Sequence, residues 1–459
     1  MFASQIKSLF VVTQIAVLAA GSSAFAATGK VYIADEGAST VSVMDATSFK
    51  KIGSIPVGQG PHNVQVSPDG KWVWVTNNGD PAKVAETMPA EKMPKAEHGA
   101  MAGAGAVWVI DATTDAVVAK VPVGKHPAHV VVASDGRTAY ITNGGDNTVS
   151  VVDTAAQRVV GVVAVGASPH GLRITPDGKW VWVTNNGDPA KAAETMPMPA
   201  EKMPKAEHGA MAGAGAVWVI DAATDAVVAK VPVGKHPAHV VVASDGRTAY
   251  ITNGGDNTVS VVDTATQRVI GVAPVGVSPH GLRITPDGKQ VWVANLKGDT
   301  VSVIDTVSRK QVAQIAAGKG PAQVGFTPDG RFGFVSLSGE NKVAVIDPVS
   351  RKVIRKIAVG TVPIQLHATP DNRLVLVANQ GTPKKPGTKV SVIDVASMRV
   401  AATIEAGAGA HGVVVDRDGR HAFVTNTYAN TVSVIDVAER KVVATVPVGK
   451  GPNGISMAP

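Results

Sequence analysis

A unit of about 42 residues recurs along almost the whole chain, and this period constrains the fold more than any single residue does. One clear copy, residues 125–166, reads KHPAHVVVASDGRTAYITNGGDNTVSVVDTAAQRVVGVVAVG. It holds four segments rich in β-forming residues, separated by turn residues, and such a period is typical of a propeller blade. Because one blade cannot bury both faces of its sheet, the units are expected to stack around an axis.

The two ends of the chain complete each other. Alignment on the Val-Gly pair that ends each unit gives eight whole units between residues 59 and 449. Residues 29–58 supply three further strands, and the tail GPNGISMAP resembles the opening strand of a unit. A shared ninth blade would close the ring and leave no open sheet edge between the first and last blades.

An internal duplication sets the number of blades. Residues from about 70 to 178 are followed by a near-copy shifted by 108 to 110 positions. The alternative is a seven-bladed ring with two units looped out, but extruded units would expose apolar sheet faces. We therefore predict one all-β domain, a β-propeller of nine four-stranded blades: seven plus a duplicated pair, closed by N- and C-terminal strands that share one blade.

A four-residue motif ends the second strand of most units. It reads Tyr140-Ile141-Thr142-Asn143 in the copy above and recurs at 74–77, 182–185, 250–253 and 423–426. These residues resemble the YVTN-type β-propeller repeat family, whose exported members include YncE-like and surface-layer-like proteins. The resemblance implies the propeller fold over nearly the whole chain. Similar propellers include binding proteins, lactonases and haem-binding domains, so the fold alone does not select a function.

The first 26 residues are typical of a signal peptide. Lys7 is followed by a short apolar stretch and by Ala24-Phe25-Ala26, a small-x-small cleavage site. We expect a periplasmic or secreted propeller domain over residues 27–459, with no membrane anchor. The absence of cysteine excludes disulfides and thiolate chemistry. The scattered basic residues and the formal charge of +7 make nucleic acid an unlikely partner.

Histidines gather where one unit passes into the next. Four antiparallel strands, A to D, place the D–A and B–C loops of every blade on the same face, whose variable sequence indicates the functional face. We expect the strand A side chains to surround the channel mouth and bind a small molecule, a metal or a haem. The alternative is that histidine repeats because the blade repeats. The candidates at the mouth are His62, His129, His170, His239, His280 and His411, with Arg173, Arg283 and His367 further along strand A.

Two B–C loops are expanded into inserts at 80–106 and 188–216. Thioether and imidazole groups together favour a soft ion such as Cu(I). The alternative is a flexible excursion whose composition cannot bury much surface. The candidate metal ligands are Met88, Met93, His98, Met101, Met198, Met203, His208 and Met211.

Signatures of an enzyme are nearly absent. The segment 407–412 fits GxGxxG, but it lies between two predicted strands and has no helix to receive a phosphate. A lactonase-like hydrolase would have to rely on His367 with Arg173 or Arg283. The leading hypothesis is therefore a binding or scaffold protein without catalytic activity. The alternatives are a periplasmic protein that handles copper or haem, and a hydrolase.

Overall fold

Nine antiparallel sheets of four strands each form the protein, in a computed structural model that describes residues 29–77, 105–185 and 215–457. The predicted signal peptide and most of both inserts lie outside the described residues. The first three blades in chain order consist of β36 (Pro452–Met457), β1 (Lys30–Asp35), β2 (Thr40–Asp45) and β3 (Lys51–Pro56); β4 (Pro61–Val66), β5 (Trp72–Asn77), β6 (Gly105–Asp111) and β7 (Val117–Val123); and β8 (Pro127–Val132), β9 (Thr138–Asn143), β10 (Thr148–Asp153) and β11 (Arg158–Ala164).

The remaining six blades repeat the same order of four strands, A to D. Blades 4 to 6 are β12 (Pro169–Ile174), β13 (Trp180–Asn185), β14 (Gly215–Asp221) and β15 (Ala226–Val233); β16 (Pro237–Val242), β17 (Thr248–Asn253), β18 (Thr258–Asp263) and β19 (Arg268–Pro274); and β20 (Pro279–Ile284), β21 (Gln290–Asn295), β22 (Thr300–Asp305) and β23 (Gln311–Ile315). Blades 7 to 9 are β24 (Pro321–Phe326), β25 (Gly333–Leu337), β26 (Lys342–Asp347) and β27 (Lys352–Ala358); β28 (Pro363–Ala368), β29 (Leu374–Thr382), β30 (Lys385–Asp394) and β31 (Arg399–Glu405); and β32 (Ala410–Val415), β33 (His421–Asn426), β34 (Thr431–Asp436) and β35 (Lys441–Pro447).

The ring closes through the two ends of the chain. The C-terminal strand β36 pairs with β1, with Ile455 opposite Ile33, and it contacts strand A of blades 2 and 9. Each strand A contacts strand A of the next blade all the way round. All nine blades therefore belong to one ring, as predicted, and the seven-bladed alternative is wrong.

The hydrophobic core is divided among the nine blade-to-blade interfaces. In one of them Tyr140 and Val149 of blade 3 pack with Trp218 and Val181 of blade 4. Alternate residues of each strand face the preceding and the following blade, because side chains alternate across a strand. Burial therefore stabilises the ring as a whole rather than any single sheet.

The YVTN motif makes contacts between neighbouring blades, which explains why it repeats. The Tyr140 hydroxyl of blade 3 donates a hydrogen bond to the Ala222 carbonyl of blade 4 at 3.3 Å. The Asn143 amide donates to the hydroxyls of Thr148 and Ser150 at 2.9 Å each, which joins strands B and C. Asn143 also packs on Gly124 of blade 2, where a Cβ atom would come within 2.7 Å of it.

Two local features shape the strands. In blades 2 and 3, strand A begins at a proline, and a β-bulge lets this proline pair with the asparagine that ends strand B. Blade 8 has an extended B–C hairpin over Leu374–Asp394 that was not expected from the sequence, with Gly381 at φ 67°. A helix that could span a membrane is absent from the part of the chain that the structure describes.

Substitution of Gly124 by alanine should destabilise the ring. The new Cβ would meet Asn143 at 2.7 Å, and overpacking of this kind costs about 1–3 kcal/mol. Gly161→Ala is the matched control in strand D of the next blade, because its nearest neighbour would be a Val151 carbon at 3.6 Å. Chemical denaturation should show a clear loss of unfolding free energy for Gly124→Ala only, and equal losses would contradict the proposed contact.

Substitution of Asp35 by asparagine should stabilise the protein at neutral pH. Asp35 occupies the asparagine position of blade 1 and is fully buried, and this burial raises the pKa of its carboxyl above 3.8. An acid with a raised pKa destabilises the folded state when it is charged, so the native protein should gain stability as the pH falls through that pKa. We expect Asp35→Asn to add about 1 kcal/mol at pH 7.

The gain from Asp35→Asn should shrink as the pH falls to 3.8 and below, because Asp35 then becomes protonated in both the folded and the unfolded state. Thermal denaturation at several pH values measures this. The converse variant Asn143→Asp places a carboxylate in the same buried position of blade 3 and should lower the melting temperature at pH 7. A gain from Asp35→Asn that does not vary with pH would refute this account of the ring closure.

Candidate functional site

The threonine of the YVTN motif fixes strand A where the strand bulges. In blade 3 the Thr142 hydroxyl accepts a hydrogen bond from the His129 backbone N–H at 3.2 Å. The same hydroxyl donates to the backbone carbonyl of His170 in blade 4, also at 3.2 Å. One side chain therefore holds the backbones of two successive mouth histidines in register.

Five histidines from five successive blades, His62, His129, His170, His239 and His280, follow one another along the channel mouth. We call them the histidine arc. The rings of His129 and His170 lie 4.7 Å apart, centroid to centroid, and those of His239 and His280 lie 4.8 Å apart. The ring of His62 lies 6.3 Å from that of His129. The structure thus brings these sequence-predicted residues together.

The remaining blades complete the mouth with other polar groups. The strand A position of His129 carries Gln323 in blade 7 and Gln365 in blade 8, and the position of His170, one residue earlier, carries His411 in blade 9. The Gln323 side chain accepts a hydrogen bond from the Leu366 backbone N–H at 2.7 Å, so it joins two blades. The mouth is therefore asymmetric, with imidazoles on one side and glutamines on the other.

Burial favours the neutral form of the imidazoles in blades 3 to 6 and in blade 9. It lowers the pKa of His239 to about 3 and that of His411 to about 4. The pKa values of His129, His170 and His280 are also lowered by burial, and neighbouring imidazoles lower the first two further. Neutral imidazole is the form that ligates metal ions, so these residues can offer nitrogen lone pairs at neutral pH.

Several imidazole nitrogens of the mouth have no hydrogen-bond partner among the described residues. They are Nε2 of His129 and Nδ1 of His62 and of His411, all buried. The Nδ1 atom of His62 lies 3.9 Å from the Glu36 carboxylate. Glu36 also favours the protonated form of His411. Sequence reasoning missed Glu36, although its place in the B–C loop of blade 1 puts it on the functional face.

Cationic groups lie further along strand A. Arg173 and Arg283 occupy equivalent positions in blades 4 and 6, and Arg283 is exposed to the channel. Burial lowers the pKa of Arg173 to about 10, and the charge of Arg283 contributes to this shift. His367 is held by a hydrogen-bonded contact between its Nδ1 atom and the Ala368 carbonyl at 3.0 Å, and burial lowers its pKa.

The predicted Met/His inserts lie almost entirely outside the described residues, including every methionine and histidine proposed there as a metal ligand. The described residues that flank the first insert are Asn77 and Gly105. Asn77 pairs with Pro61, next to His62, and Asn185, which precedes the second insert, pairs with Pro169, next to His170. Asn77 and Asn185, the last described residues before the inserts, therefore lie beside the histidine arc.

No three histidine, aspartate or glutamate side chains within residues 29–77, 105–185 and 215–457 are already gathered around one point as a metal site. The histidine arc is a line of imidazole pairs rather than a closed cage. Two further histidines, His126 and His236, lie in exposed D–A loops at φ 50° and 51°. They belong to the same duplicated blades but not to the arc.

The fold and its motif define a class of protein, a β-propeller built from YVTN-type repeats. The YNCE-like beta-propeller family model matches residues 235–337 and 317–458. The chain belongs to this YNCE-like, YVTN-type family. A second family model, the Cytochrome D1 heme domain, matches residues 100–193, a span that contains His129, His170 and Arg173.

The chain also shows distant similarity to three individual proteins. Antigen Lp49 of Leptospira interrogans (serogroup Icterohaemorrhagiae serovar copenhageni, strain Fiocruz L1-130) is 33% identical over 114 residues, which cover 25% of this chain and 23% of the antigen. The structure of dihydro-heme d1 dehydrogenase NirN in complex with DHE is 17% identical in sequence and superposes with a TM-score of 0.60. The match covers 95% of this chain and 76% of the NirN chain. The structure of a eukaryotic initiation factor is 12% identical and has a TM-score of 0.56, and the match covers 85% of this chain and 89% of the factor's chain. These structural likenesses show the fold alone.

Loss of the Thr142 hydroxyl should disturb the histidine arc. Thr142→Val keeps the shape but removes two partly buried hydrogen bonds to the backbones of His129 and His170, at a cost of about 1 kcal/mol each. Thr142→Ser retains the hydroxyl and serves as the control. Imidazole NMR signals of His129 and His170 should move in the valine variant only, and signals unchanged in both variants would contradict this role.

Proposed function

We propose that the protein binds an iron tetrapyrrole of the haem class at the channel mouth, against the histidine arc. The observation that carries the proposal is the succession of mouth imidazoles, most of which burial keeps in the neutral form, together with Nε2 of His129, which is buried without a hydrogen-bond partner among the described residues. Imidazole is a common axial ligand of haem iron. This proposal keeps the wider hypothesis that the protein binds a ligand rather than catalyses a reaction.

The residues present suit the chemistry of such a ligand. Tetrapyrroles of this class carry carboxylate side chains, and Arg173 and Arg283 supply two guanidinium groups close to the arc. Guanidinium binds carboxylates through charge-assisted hydrogen bonds. Val131 and Val241 alternate with the two arginines around the ring and offer apolar surface to a macrocycle. When bound, the group would supply the redox or ligand-binding chemistry of its iron.

The similarities to known proteins favour a tetrapyrrole over copper or a lactone as the ligand. The matched span of the Cytochrome D1 heme domain model contains one of the two imidazole pairs and one of the two arginines. NirN, the structurally similar dehydrogenase, acts on a haem, as its name states. The only observation that supports a lactonase-like hydrolase, by contrast, is the presence of His367 near an arginine among the described residues.

Titration with haemin tests the proposal. The mature chain should give a saturable Soret absorbance at one equivalent, and Arg173→Gln/Arg283→Gln should weaken binding by about tenfold or more, the equivalent of about 1.4 kcal/mol. The matched control is Arg158→Gln/Arg268→Gln, two exposed arginines at equivalent positions in strand D of blades 3 and 5, the blades that precede those of Arg173 and Arg283. Absence of a saturable Soret band in the wild type, or equal weakening in both variants, would refute the proposal.

A further inference from the structure

The duplication of two blades copied the site as well as the fold. His129, Thr142, His170 and Arg173 recur 110 positions later as His239, Thr252, His280 and Arg283. Both copies lie in one ring, in blades 3 and 4 and in blades 5 and 6. The channel mouth thus contains the same set of residues twice.

The two copies have the same geometry. The imidazole rings of His129 and His170 lie 4.7 Å apart with an interplanar angle of 69°, and those of His239 and His280 lie 4.8 Å apart at 70°. In both copies the threonine hydroxyl accepts the backbone N–H of the first histidine at 3.2 Å. The first histidine of each pair is therefore fixed by the same backbone hydrogen bond.

We propose that the two imidazole pairs, His129 with His170 and His239 with His280, are two equivalent sites that each bind one divalent transition-metal ion. Rings at this separation can each direct one nitrogen toward a shared ion after a small rotation. Nε2 of His129 is already buried without a hydrogen-bond partner among the described residues. Zinc and similar ions bind imidazole nitrogen at about 2.0–2.1 Å.

Two protein ligands leave each ion with open coordination positions toward the channel. This agrees with the absence, among residues 29–77, 105–185 and 215–457, of any ready group of three ligands. Such sites bind more weakly than four-ligand structural sites and keep positions for water or for a channel ligand. The inference uses the same arc as the proposed function but requires no tetrapyrrole.

The chain itself supplies conservative variants. Glutamine occupies the position of His129 and His239 in blades 7 and 8, as Gln323 and Gln365. His129→Gln and His239→Gln therefore each replace a proposed metal ligand by the residue that occupies the same position in blades 7 and 8. The controls are His126→Gln and His236→Gln, which change exposed loop histidines of the same two copies.

Calorimetric titration of the mature chain with Zn²⁺ tests the inference. We expect the wild type and the His126→Gln/His236→Gln control to bind two equivalents of zinc per chain. Each single variant, His129→Gln or His239→Gln, should bind one equivalent, and the double variant His129→Gln/His239→Gln should bind none. The melting temperature of each variant, measured without metal, checks that the fold is kept. One or no equivalent in the wild type, or a control that loses as much zinc as the arc variants, would overturn the inference.

The haemin titration separates this inference from the proposed function. Two zinc equivalents without haemin binding would leave the metal sites standing and remove the tetrapyrrole. Haemin binding without zinc binding at the imidazole pairs would overturn the metal sites and leave the proposed tetrapyrrole site standing.

Discussion

Neighbouring blades are joined where the asparagine that ends strand B packs on the glycine that ends strand D of the preceding blade. Asn143 on Gly124 and Asn253 on Gly234 show the same close contact, in which a Cβ atom on the glycine would lie 2.7 Å from the asparagine. At the closure, Asp35 packs on Gly449 in the same way. The Val-Gly pair and the YVTN motif are therefore two sides of one interaction, repeated between blades. The hydrophobic clusters lie at the same blade-to-blade interfaces as these contacts.

The same motif links the fold to the site. The asparagine holds strand B against strand C, and the preceding threonine, one residue away, holds the bulge of strand A against the next blade. A bulge redirects side chains without ending a strand, which is why bulges occur near binding sites. Here it places His129 beside His170 and His239 beside His280. The histidine arc is thus a consequence of the contacts that build the ring.

Much of this architecture could be predicted from the sequence. The period indicated four strands per blade, the Val-Gly pair marked the blade boundaries, and the incomplete ends predicted the pairing of β36 with β1. The site was harder, because its members come from different blades and their separations depend on the bulge. Glu36 illustrates the limit: the sequence shows an acidic residue in a loop, but not that blade 1 carries it to within 3.9 Å of His62. The extended hairpin of blade 8 was missed because its residues lack the composition of the two large inserts.

A crystal structure of the protein tests the central claim most directly, since it measures the number of blades and the order of the mouth histidines together. The account predicts one ring of nine blades, with β36 hydrogen-bonded to β1 and with the imidazoles of blades 2 to 6 in unbroken succession. A ring of seven blades with two repeats outside it, or a mouth in which His129 and His170 are separated by other side chains, would contradict it.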